Sequence, residues 1–315
     1  MDGFGLHLDR RPAVRVAELR TGLVGAGAFG AHHARKLATT AGSRFVGVAD
    51  RHAERAEALA EAYDGRAFDD LDALIDACDA LIIATPASTH ARIAARALEA
   101  GRHVLVEKPL ASTPDDADEL VRLAHRHGIV LQAGHQERFV MDAIGLLKTP
   151  EPPLRIESVR EGPPSGRSMD VSITMDLMIH DLDLVASLFG ASPLSVHAQG
   201  VGPEGRFDQV EARLTFASGE AVLRASRIAE TRQRRMRTEF ADGSVEIDFI
   251  TRTMRNKTGL PLDPNFADKA PDPLGMSVEA FLKAASGRAS CPIPGEAGMA
   301  AVRLAALVDA ACRRN

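Results

Sequence analysis

The run Gly25-Ala26-Gly27-Ala28-Phe29-Gly30 constrains this chain more than any other feature. It follows a short apolar stretch, Thr21-Gly22-Leu23-Val24, and opens a helical pattern from Phe29 to Thr39. Between a strand and a helix, three glycines at this spacing have separate tasks. The first permits a tight turn, the second lets a pyrophosphate approach the backbone, and the third lets helix and strand pack closely. The helix N-terminus then offers amide donors and a positive dipole end to phosphates. A second strand pattern, Arg44–Ala49, ends at Asp50, where an acid accepts hydrogen bonds from an adenosine ribose. The plain alternative is a glycine turn with a chance acid; the strand, the helix and Asp50 in register argue against it. Gly25, Gly27, Ala28, Phe29, Gly30 and Asp50 are therefore expected to bind a dinucleotide. Asp50 favours NAD, because a carboxylate repels a ribose phosphate, while Arg51 directly after it could accommodate NADP.

The alternation of strand and helix patterns continues to about residue 140. Helices are expected at Ala53–Tyr63, Leu71–Ala77, Ala87–Ala100 and Pro114–His127, and strands at Ala80–Ala84, His103–Val106 and Ile129–Ala133. Gly101 and Gly128 follow helix ends, and Pro114 opens one. Strands that are apolar throughout and separated by helices imply a doubly wound parallel sheet covered on both faces. A further helix is expected at Met141–Lys148, and Pro150, Pro152 and Pro153 then mark a change of rhythm. Leu154–Arg160, Gln209–Phe216, Ala221–Ile228 and Val245–Ile250 alternate polar and apolar residues, with a hairpin at Ala217-Ser218-Gly219. This pattern implies an α+β unit with a mostly antiparallel sheet exposed on one face. Helices are expected at Asp176–Phe189, Ser277–Ala285 and Glu296–Arg313. The division is an extension at 1–19, a dinucleotide-binding unit at 20–140, and a substrate-binding and oligomerisation unit at 141–315.

Composition excludes several function classes. A net charge of -5 with both signs interspersed gives no footprint for nucleic acid or an anionic membrane. No apolar run approaches the ~18 residues of a membrane span, and Met1–Arg20 does not read as a signal peptide. Cys78, Cys291 and Cys312 are scattered without metal-like spacing, so no metal site and a reducing, cytoplasmic compartment are expected.

Glu107-Lys108-Pro109 follows the strand His103–Val106. Ligands of open α/β sheets bind beyond such strand ends, which puts Lys108 where cofactor and substrate would meet. A cis bond before Pro109 would aim the lysine, but few X-Pro bonds are cis, so trans is the stronger expectation. In the later unit, Asp176 and His180 are spaced to share one helix face, and a histidine suits proton removal near neutral pH.

These residues together resemble the Gfo/Idh/MocA family of NAD(P)-dependent oxidoreductases. The resemblance rests on Gly25–Gly30, Asp50, Ala84-Thr85-Pro86 with His90, Glu107-Lys108-Pro109, and Asp176-Leu177-Met178-Ile179-His180-Asp181-Leu182-Asp183. It implies a Rossmann domain and a second domain with a large open sheet, which in the family usually forms the subunit interface. A homodimer or homotetramer is implied in turn. The resemblance extends the cofactor site to Arg51, Thr85, Pro86, His90, Glu107 and Lys108. It gives Lys108 a place beside the nicotinamide and the reacting hydroxyl, and His180 and Asp176 catalytic and substrate-binding roles. Either His180 or Lys108 could be the base. Family members often carry glycines before the Asp176 helix and D-x-G-x-H within it. Here Val171-Ser172-Ile173-Thr174 precedes the helix and Met178 replaces the glycine, which alters the pocket.

The string from Asp176 to Asp183 and the segment Gly134-His135-Gln136-Glu137-Arg138-Phe139 resemble a nucleotide-sugar subgroup that includes UDP-N-acetylglucosamine 3-dehydrogenases, which serve lipid A variants with a 3-amino sugar. On this reading Arg138 binds substrate oxygens. Arg232, Arg234, Arg235 and Arg237 form a basic cluster that could hold a diphosphate or simply face solvent. The alternatives are a dehydrogenase of a free polyol or sugar of the inositol or glucose type, and a non-catalytic NAD-binding regulator.

Overall fold

The computed structural model describes residues 18–164, 170–203 and 207–314. The chain runs β1 (Leu19–Val24), α1 (Ala28–Thr39), β2 (Ser43–Ala49), α2 (Ala53–Ala62), β3 (Arg66–Phe68), α3 (Leu71–Ala77), β4 (Ala80–Ile83), α4 (Ala87–Glu99), β5 (His103–Val106), α5 (Pro114–His127), β6 (Leu131–Ala133) and α6 (Glu137–Ile144). The six strands pair in parallel in the order β3-β2-β1-β4-β5-β6. This is a Rossmann sheet. Its central strands are apolar because both faces are covered: all four residues of β4 are buried.

The second half contains β7 (Arg155–Glu161), a π-helical turn at Thr174–Met178, α7 (Ile179–Phe189), β8 (Ser195–Val201), β9 (Gln209–Thr215), β10 (Glu220–Ser226), β11 (Gln233–Phe240), β12 (Gly243–Asp248) and β13 (Thr253–Asn256). It closes with α8 (Phe266–Lys269), α9 (Pro273–Ala285) and α10 (Gly295–Cys312). The seven strands order as β13-β12-β11-β7-β10-β9-β8, antiparallel except for β7 with β10. Alternation places one face against α10 and the π turn before α7, while the other carries exposed charge pairs such as Arg224–Glu211. The closing helices also reach the first sheet: Val278, Phe281 and Leu282 of α9 share a buried cluster with Leu23 and Leu37.

Several boundaries differ from the sequence reading. Leu19 and Arg20 belong to β1, and Arg20 pairs with Asp79 at 2.7 Å; residues 1–17 of the expected extension lie outside the described residues. The helix expected at Met141–Lys148 starts at Glu137 and ends at Gly145, whose φ of 92° is left-handed. Strands β3, β8, β11 and β13 were not expected. β11 hides its alternation because arginines occupy both faces. The helix expected from Asp176 begins as a π turn, which bonds five residues back. Asp176 and His180 are therefore not stacked as an α-helical i, i+4 pair. Among the described residues, no helix is long and apolar enough to cross a membrane.

Candidate active site

Strand order brings the marked residues to one edge. The glycine loop follows β1, Asp50 follows β2, Thr85-Pro86 follows β4, Glu107-Lys108-Pro109 follows β5 and Glu137-Arg138 follows β6. β1 and β4 are neighbours at the point where the strand order reverses, where such sheets bind ligands.

The glycine loop fits a dinucleotide residue by residue. Gly25 has φ +106°, and a Cβ there would lie 2.6 Å from the Ala84 carbonyl oxygen. A Cβ on Gly30 would lie 2.0 Å from the Gly25 oxygen. Gly27 faces open space, with nothing within 4 Å of an added Cβ. No side chain caps α1 and no acid occupies its first turn, so Ala28, Phe29 and Gly30 present the orphan end of a helix to an anion. Asp50 is fixed beside the loop: Ala26 N–H donates to it at 2.6 Å and His52 N–H at 2.8 Å. A carboxylate retains further lone pairs for ribose hydroxyls. Arg51 is exposed, its Nε 3.0 Å from His52 Nε2.

Two expected cofactor contacts are instead internal braces. His90 is 1% exposed, with Nδ1 2.7 Å from the Pro109 oxygen and Nε2 2.9 Å from the Thr85 oxygen. Both ring nitrogens face protein carbonyls, which leaves none for a ligand. Burial pushes its pKa down, against the two carbonyls. Glu107 is 6% exposed; its Oε1 lies 2.7 Å from His33 Nε2 and its Oε2 accepts from Lys108 N–H at 3.3 Å. Burial opposes its ionisation, but His33 and Lys108 prevail and hold its carboxyl below the usual range. Glu107 thus ties α1 to the turn that carries Lys108. The Lys108–Pro109 bond is cis, contrary to the expectation of trans.

Lys108 and His180 meet the cleft from opposite sheets. Lys108 Nζ donates to the Asp176 carbonyl oxygen at 2.8 Å and to Asp176 Oδ1 at 3.1 Å. Three ammonium hydrogens are available, so one remains for a ligand. His180 Nδ1 lies 2.8 Å from Glu137 Oε2, a partner the sequence reading missed. Glu137 Oε1 accepts from Arg160 Nη1 at 3.1 Å, and Asp181 accepts from Arg160 Nε at 2.9 Å and Nη2 at 3.1 Å. Burial works against ionised Glu137, but His180 and Arg160 outweigh it and hold its carboxyl well below the carboxylate range. Burial also pushes the His180 pKa down, aided by Arg160 and Lys108 and opposed by Glu137. A carboxylate only accepts, so neutral His180 carries its proton on Nδ1 and a lone pair on Nε2.

Arg138, expected at the substrate, also has a partner within the protein. Asp183, 1% exposed at its side chain, accepts from Arg138 Nε at 2.8 Å and Nη2 at 2.7 Å. This bidentate pair joins α6 to α7 through the Nε–Nη2 edge of the guanidinium.

Residues 19–135 match the family model described as an oxidoreductase family with an NAD-binding Rossmann fold, and residues 159–246 match the Gfo/Idh/MocA C-terminal domain. The chain belongs to the Gfo/Idh/MocA oxidoreductases. It is 37% identical to the UDP-N-acetylglucosamine 3-dehydrogenase of Acidithiobacillus ferrooxidans, across 94% of this chain and 99% of the relative. A solved structure of that enzyme superposes with a TM-score of 0.86 at 35% identity, covering 94% of this chain and 98% of the other. Inositol 2-dehydrogenase of Rhizobium meliloti is 29% identical across 94% of this chain and 96% of its own length. The WlbA dehydrogenase of Bordetella pertussis, solved with NADH and UDP-GlcNAcA, shares the fold at a TM-score of 0.84 and 18% identity, over 96% of this chain and 97% of its own. As a family member the chain is an NAD-dependent dehydrogenase with an NAD-binding Rossmann domain. Glu137, Arg160 and His33 escaped the sequence reading because nothing local pairs them with residues 43, 21 and 74 positions away.

Proposed function

We propose that this protein oxidises a ring hydroxyl of a UDP-sugar to a ketone, as a UDP-N-acetylglucosamine 3-dehydrogenase does. The observation that carries the chemistry is the pairing of His180 with Glu137 opposite Lys108. The near full-length similarity to the Acidithiobacillus enzyme supports the substrate. Bound NAD would accept the hydride from the carbinol carbon. The glycine loop and Asp50 would hold it, with Thr85, Pro86 and Arg51 at the rim.

His180 Nε2 takes the hydroxyl proton. The imidazolium that forms lies against Glu137, which stabilises it and fixes its orientation. Lys108 donates its remaining N–H to the hydroxyl oxygen and steadies the developing negative charge. Asp176 holds Lys108 in place and borders the substrate. In this division of labour the unit at 20–140 serves the cofactor, and that at 141–315 serves the substrate and assembly. The open sheet face would make a homodimer or homotetramer, and the ketone would be aminated toward lipid A-type sugars. A cytoplasmic site is supported by three free cysteines, whose thiols burial pushes up to about 12, 11 and 11.

The test is NADH formation across UDP-sugars, sugar phosphates and free polyols. Turnover of UDP-N-acetylglucosamine well above the rest is expected. Turnover of inositol with none of UDP-N-acetylglucosamine would replace this reading with that of the inositol dehydrogenases, which the Rhizobium relative favours.

A further inference from the structure

The four arginines near β11 separate by face. Side chains alternate along a strand, so Arg235 and Arg237 point to the outer face. Each has its own acids there: Arg235 with Asp248 at 3.0 Å, and Arg237 with Glu239 at 3.0 Å and Glu246 at 3.1 Å. Arg234 shares the inner face with buried Met236 and Thr238.

On that face Arg234 stands directly opposite Arg160 of β7. Like charges placed opposite each other repel. Arg160 is 2% exposed, and its Nε, Nη1 and Nη2 each donate to Asp181 or Glu137. Arg234 is exposed, and among the described residues no carboxylate is bonded to it. Its charged surroundings are Arg160, Glu137, Arg232 and Asp181; desolvation, then Arg160, push its pKa down. Both carboxylates in that set already bond Arg160. Arg232, also exposed, has its Nε 4.0 Å from where a Gly162 side chain would begin, just past the end of β7. Two exposed guanidinium groups thus flank a bonded chain that runs from Arg160 through Glu137 to His180. An anion would relieve the arginine repulsion and complete the cluster.

We infer that Arg234, assisted by Arg232, binds the phosphate or diphosphate of a phosphorylated sugar whose hydroxyl lies at His180. This rests on the nucleotide-sugar reading and assigns its anion to a residue. A guanidinium fork matches phosphate oxygens bidentately.

The test uses the full chain with saturating NAD, UDP-N-acetylglucosamine as substrate and UDP as a dead-end inhibitor. Arg234→Gln is expected to raise KM for the substrate and Ki for UDP about 10–100-fold, with kcat within about threefold. Arg234→Lys keeps the charge and chain length but not the fork; it should weaken both by a smaller factor, and it reads out binding even if the Gln variant folds poorly. Arg237→Gln, from the outer face, should leave both within about twofold. If UDP-N-acetylglucosamine turns over and neither Arg234 variant changes KM or Ki, the Arg234 assignment falls and the nucleotide-sugar reading stands. If a different phosphorylated sugar is the substrate and the Arg234 variants weaken it, Arg234 stands and the nucleotide-sugar reading falls. If the wild type prefers a neutral polyol to every phosphorylated sugar, both fall.

Discussion

Glu137 Oε2 lies 2.8 Å from Nδ1 of His180, although one residue opens α6 beside the first sheet and the other lies on α7 under the second. The same carboxylate accepts from buried Arg160. One acid therefore sets the tautomer of the imidazole and is itself held ionised.

Replacing Glu137 with Gln tests this arrangement. An amide N–H₂ can donate to Nδ1 and favour the tautomer with its proton on Nε2, which removes the base. We expect kcat to fall by about 10²–10⁴-fold, with the Kd for NAD within about threefold. Steady-state kinetics and a fluorescence titration with NAD separate the two. An equal loss of NAD binding would contradict the assignment.

Acid should act in two stages. His90, His135 and His180 have pKa values lowered from 6.5 in the folded chain, chiefly by burial. Their contribution to stability is complete above 6.5 and is lost as pH falls below it, because the unfolded chain binds the protons first. Glu107 and Glu137 are lowered from 4.5, so their contribution is lost as pH falls below 4.5 toward their folded values. Tm should be level from pH 8 to 7, decline below about 6.5, and fall more steeply below about 4.5. kcat/KM should decline through a pKa below 6.5 as His180 takes up a proton. A Tm unchanged between pH 7 and 5 would refute the first stage.

Two glycines separate cofactor binding from folding. Gly27→Ala adds a methyl to open space, so Tm should hold while the Kd for NAD rises about tenfold or more as the pyrophosphate loses its close approach. Gly30→Ala drives a methyl onto the Gly25 oxygen and should cost about 1–3 kcal/mol. Thermal melts with and without NAD distinguish them.

Arg138→Ala should act on stability more than on substrate binding. It strands Asp183, which is 1% exposed at its side chain; breaking such a pair costs about 3–5 kcal/mol. Urea denaturation measures this, and the double variant Arg138→Met with Asp183→Leu should recover most of the loss. Full stability with a large rise in KM would return Arg138 to the substrate.

The sequence alone determined the elements whose signals are local. The Gly25–Gly30 loop lay between a strand and a helix, Asp50 directly followed β2, and Pro114 with Gly128 bounded α5. These features depend on φ, caps and period, which neighbouring residues dictate, and they placed Lys108 and His180 as candidates. Tertiary structure decided what those residues touch. His90 and Glu107 became braces because β4, β5 and α1 pack around them, which no spacing reveals. Asp176, expected to share a regular helix face with His180, sits in a π turn and anchors Lys108. Arg138 found Asp183, His180 found Glu137, and Arg234 came to stand opposite Arg160 only through the register of β11 against β7. Which charge meets which depends on how two sheets and their helices dock, and the free energy of that docking comes from apolar burial that is indifferent to the polar groups it brings together.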